Sequence, residues 1–188
     1  MNHKNLFYPP GGLLLWMVAF LEILTFGVAL VVMVVLSKED PTLFHTSRLS
    51  LNSTLGTVNT IILLVSGLFM VTAVSHFKEG NRKQSYFYLK LTLAVGVLFV
   101  LVKSWEYYQK IQAGISIGTN TFFSFYWMLT LFHLAHVLFG LVILTSFRFK
   151  MKNENSVLAF EDFEAGATFW HLCDLLWLLL FPMLYLFF

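Results

Sequence analysis

The stretch GATFWHLCDLLWLLLFPMLYLFF, residues 166–188, is apolar over a length that can cross the hydrocarbon core of a bilayer. It nevertheless carries His171 and Asp174, which lie one helical turn apart. A charged side chain near the centre of a membrane helix costs about 2.5–3.5 kcal/mol on insertion scales, so such residues usually face protein, water or a partner. The stretch therefore predicts a membrane-spanning helix with a polar interior side.

The composition extends this interpretation to the whole chain. Hydrophobic residues make up 58% of its 188 residues and charged residues 12%, and the mean hydropathy is +0.76, values typical of an integral membrane protein. The pattern predicts an all-α, polytopic fold, with a single domain over residues 1–188 and five transmembrane helices. The predicted spans are residues 13–36, 55–76, 87–108, 122–147 and 166–187. We expect the first span to be retained, because its apolar run is longer than the core of a cleaved signal peptide.

The connecting loops limit both the function and the orientation. None is longer than about 18 residues, so no extramembrane catalytic domain fits between the spans. The loops on the side of the N-terminus carry seven basic residues, which are Lys4, Lys78, Arg82, Lys83, Arg148, Lys150 and Lys152. The opposite side carries three, which are Lys38, Arg48 and Lys110. The positive-inside rule therefore predicts a cytoplasmic N-terminus and an outside C-terminus, and the net charge of +2 does not indicate nucleic-acid binding.

Five polar residues lie within the predicted spans, including His171 and Asp174. Glu22 is in the first, His133 and His136 are in the fourth, and His171 and Asp174 are in the fifth. At 1.5 Å per residue, Glu22, His136 and Asp174 lie about 12–16 Å from the cytoplasmic ends of their helices, which predicts a common layer. The spacing of His133 and His136 places both on one side of the fourth helix. The single cysteine, in the fifth span, excludes an intrachain disulfide.

These residues permit several interpretations. They can neutralise one another inside the bundle, or Glu22 can be a proton-handling carboxylate, because desolvation disfavours its charged form. A metal site would need three or four of the five to converge. A stand-alone b-type haem electron carrier would need one histidine from each of two helices, His133 or His136 with His171. The spacing of these residues alone does not show whether the ligands of a metal, or the two histidines of a haem site, come together.

A second polar site is predicted at the outer end of the third span. Lys103 and Glu106 are one turn apart there, among Trp105, Tyr107 and Tyr108. A local ion pair beside an aromatic interfacial belt explains this string. A docking site, or a site for a lipid headgroup, is the alternative.

Taken together, several motifs resemble those of a known family. They are Glu22 in FLEILTFG, Asn59-Thr60 followed by IILLVSG, Glu106-Tyr107 at a helix end, TLFHLAHVLFG, and FWHLCDLLWLLLFP. Their order is similar to that in subunit III of the haem-copper oxidases. Over about residues 12–187 the chain looks like a cytochrome c oxidase subunit III of a short, five-helix form that lacks the two extra N-terminal helices of the long form.

The resemblance implies a non-catalytic subunit that packs on catalytic subunit I, which holds the haem and copper. It implies no metal or other cofactor in this chain itself, bound phospholipid between the helices, and a role in proton uptake and sustained turnover. Glu22 matches the family's membrane-buried carboxylate. His133, His136, His171, Asp174 and Glu106 become structural polar residues of the bundle.

Three features of the chain also resemble those of the subunit-III-like proteins associated with bacterial nitric oxide reductases. These are the short length, the string from Lys103 to Tyr107, and the FPMLYL ending. The partner implied by the resemblance is therefore the catalytic subunit of a haem-copper oxidase or, as the alternative, of a nitric oxide reductase. The expected location is the bacterial inner membrane, as a multi-pass protein.

Overall fold

The computed structural model describes residues 12–153 and 158–188, and this part of the chain forms six α-helices. They are α1 (Leu13–Ser37), α2 (Pro41–Leu49), α3 (Ser53–Lys78), α4 (Arg82–Gln112), α5 (Thr121–Lys152) and α6 (Phe160–Tyr185). All except α2 are long and apolar enough to cross a membrane, and the described residues include no strand. The predicted all-α fold with five spans is confirmed. The orientation of the termini stays a prediction, and Lys4 lies outside the described residues.

Most helix ends lie beyond the predicted spans, chiefly at polar ends, whereas α6 ends at Tyr185 instead of residue 187. α4 begins at Arg82 instead of residue 87, because Asn81 caps it by accepting a hydrogen bond from the backbone N–H of Gln84 at 3.2 Å. α5 continues to Lys152 instead of residue 147, and α6 begins at Phe160 instead of residue 166. Hydropathy detects the part of a helix that lies in hydrocarbon, whereas the caps determine where the helix ends.

The connection between the first two predicted spans contains the short helix α2. Asp40 caps α2 by accepting from the backbone N–H of Leu43 at 3.0 Å, and Pro41 follows at the first helical position. Asn52 caps the start of α3 by accepting from the backbone N–H of Leu55 at 3.1 Å. The Asp-Pro pair in the sequence is a helix-start signal that hydropathy does not detect.

α6 lies at the centre of the bundle. It packs against α1, α3 and α5, while α3 pairs with α4 and α4 with α5, and α1 lies outermost against α5 and α6. The indole of Trp170 in α6 is wedged between two glycines, Gly96 of α4 and Gly140 of α5. A Cβ at these positions would approach the indole to 2.8 and 2.9 Å. The two glycines therefore allow three helices to meet around one buried ring.

Candidate functional site

Glu22 of α1 and His136 of α5 form a polar pair across a helix interface. Glu22 Oε1 lies 3.1 Å from His136 Nε2, and the two side chains are 18% and 15% exposed. The ring of Phe26, one turn after Glu22, stacks on Phe132 with centroids 5.4 Å apart. This aromatic contact fixes α1 against α5 beside the pair, so the carboxyl group has a defined partner in an otherwise apolar interface.

The hydrogen bonds of His136 limit the protonation states of the pair. His136 Nδ1 lies 2.7 Å from the backbone carbonyl of Phe132, which only accepts, so Nδ1–H is the donor. In a neutral imidazole Nε2 is then an acceptor, and the contact with Glu22 requires one proton, either on the carboxyl or on Nε2. Both arrangements are neutral overall. The contact therefore places a carboxyl group against a ring nitrogen, across the interface between α1 and α5.

His171 and Asp174 form a second pair on α6. His171 Nδ1 lies 3.1 Å from Asp174 Oδ2. Asp174 is buried against α3, where a Cβ on Gly67 would approach Oδ2 to 2.5 Å. The His171 side chain is 37% exposed. The pair thus runs from the bundle interior to its surface, and Gly67 makes the space for its carboxylate.

His133 does not join either pair. Its buried ring packs edge-on against Phe99, with centroids 5.9 Å apart. Against Trp177 it packs with centroids 5.2 Å apart and the ring planes tilted by 31°. Neither ring nitrogen has a hydrogen-bond partner among the residues that the structure describes. Positions three apart differ by about 60° around a helix. That angle directs His133 toward α4 and α6, while His136 faces α1.

The five predicted polar residues are therefore two separate pairs and one isolated histidine. Within residues 12–153 and 158–188, no group of three or more His, Cys, Asp and Glu side chains is placed to hold a metal ion. His136 Nε2 faces Glu22 and His171 Nδ1 faces Asp174, so each of these two nitrogens lies against a carboxyl group.

Lys103 and Glu106 form a buried ion pair in α4. Lys103 Nζ lies 3.0 Å from Glu106 Oε2, and the side chains are 1% and 2% exposed. Tyr126 of α5 and Tyr185 of α6 donate their hydroxyls to Glu106 Oε1 at 3.0 and 2.6 Å. Lys103 also donates to the Tyr185 hydroxyl at 2.7 Å. Three helices thus share one charge-assisted network, which we call the Lys103 network.

Aromatic rings enclose the ammonium group of this network. Lys103 Nζ lies 5.0 Å from the ring centroid of Trp177 and 5.1 Å from that of Tyr107, within cation–π range. Of the predicted interfacial belt, only Trp105 and Tyr108 are exposed. Because Lys103 is covered by protein, the alternative of a headgroup or docking site at this residue does not fit. Sequence reasoning missed the two tyrosines, since no local spacing connects them to α4.

The ends of several helices are joined next to the Lys103 network. Arg48 of α2 and the hydroxyl of Ser53 of α3 both donate to the backbone carbonyl of Tyr185 at 3.2 Å. Lys110 of α4 donates to the backbone carbonyl of Ser50. A cation at the last carbonyls of α6 is favourable, because those carbonyls form the negative end of the helix dipole. α2 and the residues after it therefore connect the ends of α3, α4 and α6 at this end of the bundle.

An apolar cleft of about 510 Å³ lies between α1, α5 and α6. Its lining includes the rings of Phe139, Phe147 and Phe169. Lys150 and Asp162 are the charged residues of the lining. Apolar walls with one cation and one anion suit an amphiphilic lipid better than a water-soluble ligand.

Comparison with known proteins places the chain among oxidase subunits. The family model described as cytochrome c oxidase subunit III matches residues 14–188. The chain is 32% identical to a probable cytochrome c oxidase subunit 3 of Rickettsia conorii over 133 residues, which cover 69% of the chain and 46% of that protein. It is 35% identical over 129 residues to the cytochrome c oxidase subunit 3 of Loxodonta africana and to that of Gallus gallus, with 68% of the chain and 48% of each relative covered. The matched region is thus about half the length of these relatives.

Proposed function

The chain belongs to the cytochrome c oxidase subunit III family, and we propose that it is a non-catalytic subunit that packs on catalytic subunit I of a haem-copper terminal oxidase in a bacterial inner membrane. The observation that carries the proposal is the family match over residues 14–188, which includes all five apolar helices. Haem and copper belong to the partner in this proposal. The role of this chain is to support turnover, not to reduce oxygen.

The Glu22–His136 pair is the part of the site that supports proton uptake. The two groups can share one proton as a neutral unit between α1 and α5, and both side chains are partly exposed. A unit of this kind changes charge only when it gains or loses a proton. Because an uncompensated charge is costly at this depth, the exchange is coupled to charges that a neighbouring subunit supplies. Glu22 is therefore the functional carboxylate of the proposal.

The cleft between α1, α5 and α6 is the proposed phospholipid site. Its phenylalanine-rich lining accommodates acyl chains, and Lys150 supplies a cation for a phosphate. Asp162 supplies an anion for an amine, so a headgroup with both charges suits the cleft. A bound lipid would fill the space between the outermost helix α1 and the rest of the bundle. That filling supports sustained turnover by keeping Glu22 against α5.

Turnover assays test the proposal directly. Membranes of the native host with the chain deleted are expected to start oxygen consumption at a near-normal rate and then lose activity during turnover faster than wild type. The E22Q variant is expected to slow the initial rate at high pH, where protons are scarce, while E39Q, at an exposed glutamate after α1, leaves it unchanged. Identical rates and identical inactivation in all four membranes would refute the role.

A nitric oxide reductase is the second candidate partner. The feature that favours it is the Lys103–Tyr107 string, in which Lys103 is the centre of a buried network instead of an exposed interfacial residue. The same deletion membranes separate the candidates. Loss of nitric oxide consumption with oxygen consumption intact identifies the reductase, and the opposite pattern identifies the oxidase.

A further inference from the structure

The outward face of α4, near the start of the helix, carries two cations and an aromatic ring. Lys83, Phe87 and Lys90 follow one another at spacings of four and three residues, which places all three on one side of the helix. All three side chains are exposed. A pocket of about 310 Å³ lies at this face, and its lining is formed by Lys83, Gln84 and Phe87.

Lys90 lies where an exposed cation is costly. It is three residues inside the span predicted to begin at residue 87, a depth of about 4.5 Å at 1.5 Å per residue. Its ammonium group is held back over the preceding turn, 5.1 Å from the ring centroid of Tyr86 and 5.9 Å from that of Phe87. A side chain directed in this way reaches from the hydrocarbon toward the level of the lipid headgroups.

The two lysines are placed to act on one anion. Their backbones are two helical turns apart, about 10.5 Å along the axis, and Lys90 reaches back over one of these turns. Lys83 lines the pocket, and the ammonium group of Lys90 lies against the ring of Phe87, which lines the same pocket. An anion in the pocket therefore lies between two cations, and the amide of Gln84 supplies a hydrogen-bond donor.

No carboxylate in the described part of the chain neutralises these cations. Neither Lys83 nor Lys90 forms an ion pair there. Glu79, the nearest acidic residue in the sequence, is held on α3, where its Oε1 accepts from Ser75 and its Oε2 lies 3.2 Å from His76 Nδ1. The cleft between α1, α5 and α6 offers one cation and one anion, whereas this face of α4 offers two cations. The charge therefore favours an anionic occupant over a zwitterionic one.

We propose that this face of α4 binds the phosphate of an anionic phospholipid of the membrane, with Lys83 and Lys90 on either side of it. The acyl chains of the lipid run along Phe87 into the hydrocarbon. A membrane lipid is the occupant because the pocket lies where the predicted span begins, at the level of the headgroups. The site uses residues of this chain alone and requires no partner subunit.

Native mass spectrometry of the purified full chain tests the site. The chain is titrated separately with phosphatidylglycerol and with phosphatidylcholine of the same acyl chains, and the dissociation constant is measured for each lipid. The proposal predicts tighter binding of phosphatidylglycerol, retained in the presence of inorganic phosphate at the same concentration. Equal affinities for the two lipids, or displacement of phosphatidylglycerol by inorganic phosphate, would overturn the proposal.

Matched variants test whether the preference arises at this face. K83Q and K90Q each remove one cation beside the phosphate, so each is expected to weaken the binding of phosphatidylglycerol about fivefold. Phosphatidylcholine is expected to be affected less, because its choline group balances the phosphate charge. K78Q/K152Q is the control for K83Q/K90Q, because it removes two exposed lysines from the same end of the bundle and changes the net charge equally. A folded K83Q/K90Q variant that keeps the preference, or a control that loses it equally, would overturn the site.

Discussion

The Lys103 network makes the substitution K103M the most informative perturbation of stability. Lys103 and Glu106 are almost completely buried, with Nζ and Oε2 3.0 Å apart. Removing one partner of a buried ion pair typically costs about 3–5 kcal/mol, because the other charge is left uncompensated. Here Glu106 retains two tyrosine donors, at 3.0 and 2.6 Å, which offset part of the loss. We therefore expect a decrease of about 3 kcal/mol in the free energy of unfolding, at the lower end of that range.

The assay is reversible unfolding of the purified chain in mixed micelles, followed by helix content as the denaturing detergent fraction rises. K38M, at an exposed lysine after α1, is the control and is expected to change stability by less than about 0.5 kcal/mol. The double variant K103M/E106Q removes both charges and is expected to recover most of the loss. A K103M variant as stable as wild type, or a double variant as unstable as K103M, would refute the reasoning.

Three further predictions concern the helix contacts. G67A places a methyl group against the Asp174 carboxyl group of α6 and is expected to lower the free energy of unfolding by about 1–3 kcal/mol in the same assay. G27A is the control, because its Cβ meets nothing within 4 Å, and it is expected to be neutral or stabilising. W170A removes a fully buried indole and leaves a cavity, so it is expected to lower the free energy of unfolding by about 3–5 kcal/mol. The loss is measured as a large drop in melting temperature. A double-mutant cycle of E22Q and H136F is expected to show a coupling free energy of at least about 0.5 kcal/mol, and additive effects would mean that the two side chains do not interact.

Hydropathy was sufficient to predict the membrane fold, because each crossing needs its own long apolar run. It did not predict α2, whose nine residues, Pro41–Leu49, are too short and too polar to resemble a span. The capping residues Asp40 and Asn81 lie outside the apolar runs, so the helix ends also differ from the predicted boundaries. Local signals of capping, not hydrophobicity, carry that information.

The site was predictable only where its contacts are local in sequence. Two pairs have partners three residues apart, which are His171 with Asp174 and Lys103 with Glu106. The structure places the two side chains of each pair in contact. The partner of Glu22 lies more than a hundred residues away, and its choice depends on how α1 packs on α5. Depth along a helix places residues in a layer, but it does not show which helix faces which.

The burial of Lys103 shows the same limit. In the sequence, its neighbours at the end of the span resemble an aromatic belt at a membrane surface. The tyrosines that complete its network belong to α5 and α6, 23 and 82 positions further along the chain. Only the packing of three helices turns a residue at a span end into the centre of an interior network.

Purification of the tagged full chain from its native membranes tests the central claim most directly. Mild detergent, followed by identification of the co-purifying proteins and by a visible spectrum, establishes whether a haem-copper catalytic subunit accompanies the chain. The proposal predicts recovery of such a subunit in a constant molar ratio to the chain. It also predicts that oxygen consumption is inactivated faster during turnover when the chain is removed. Recovery of the intact chain without any haem-copper subunit, from membranes that contain one, would contradict it.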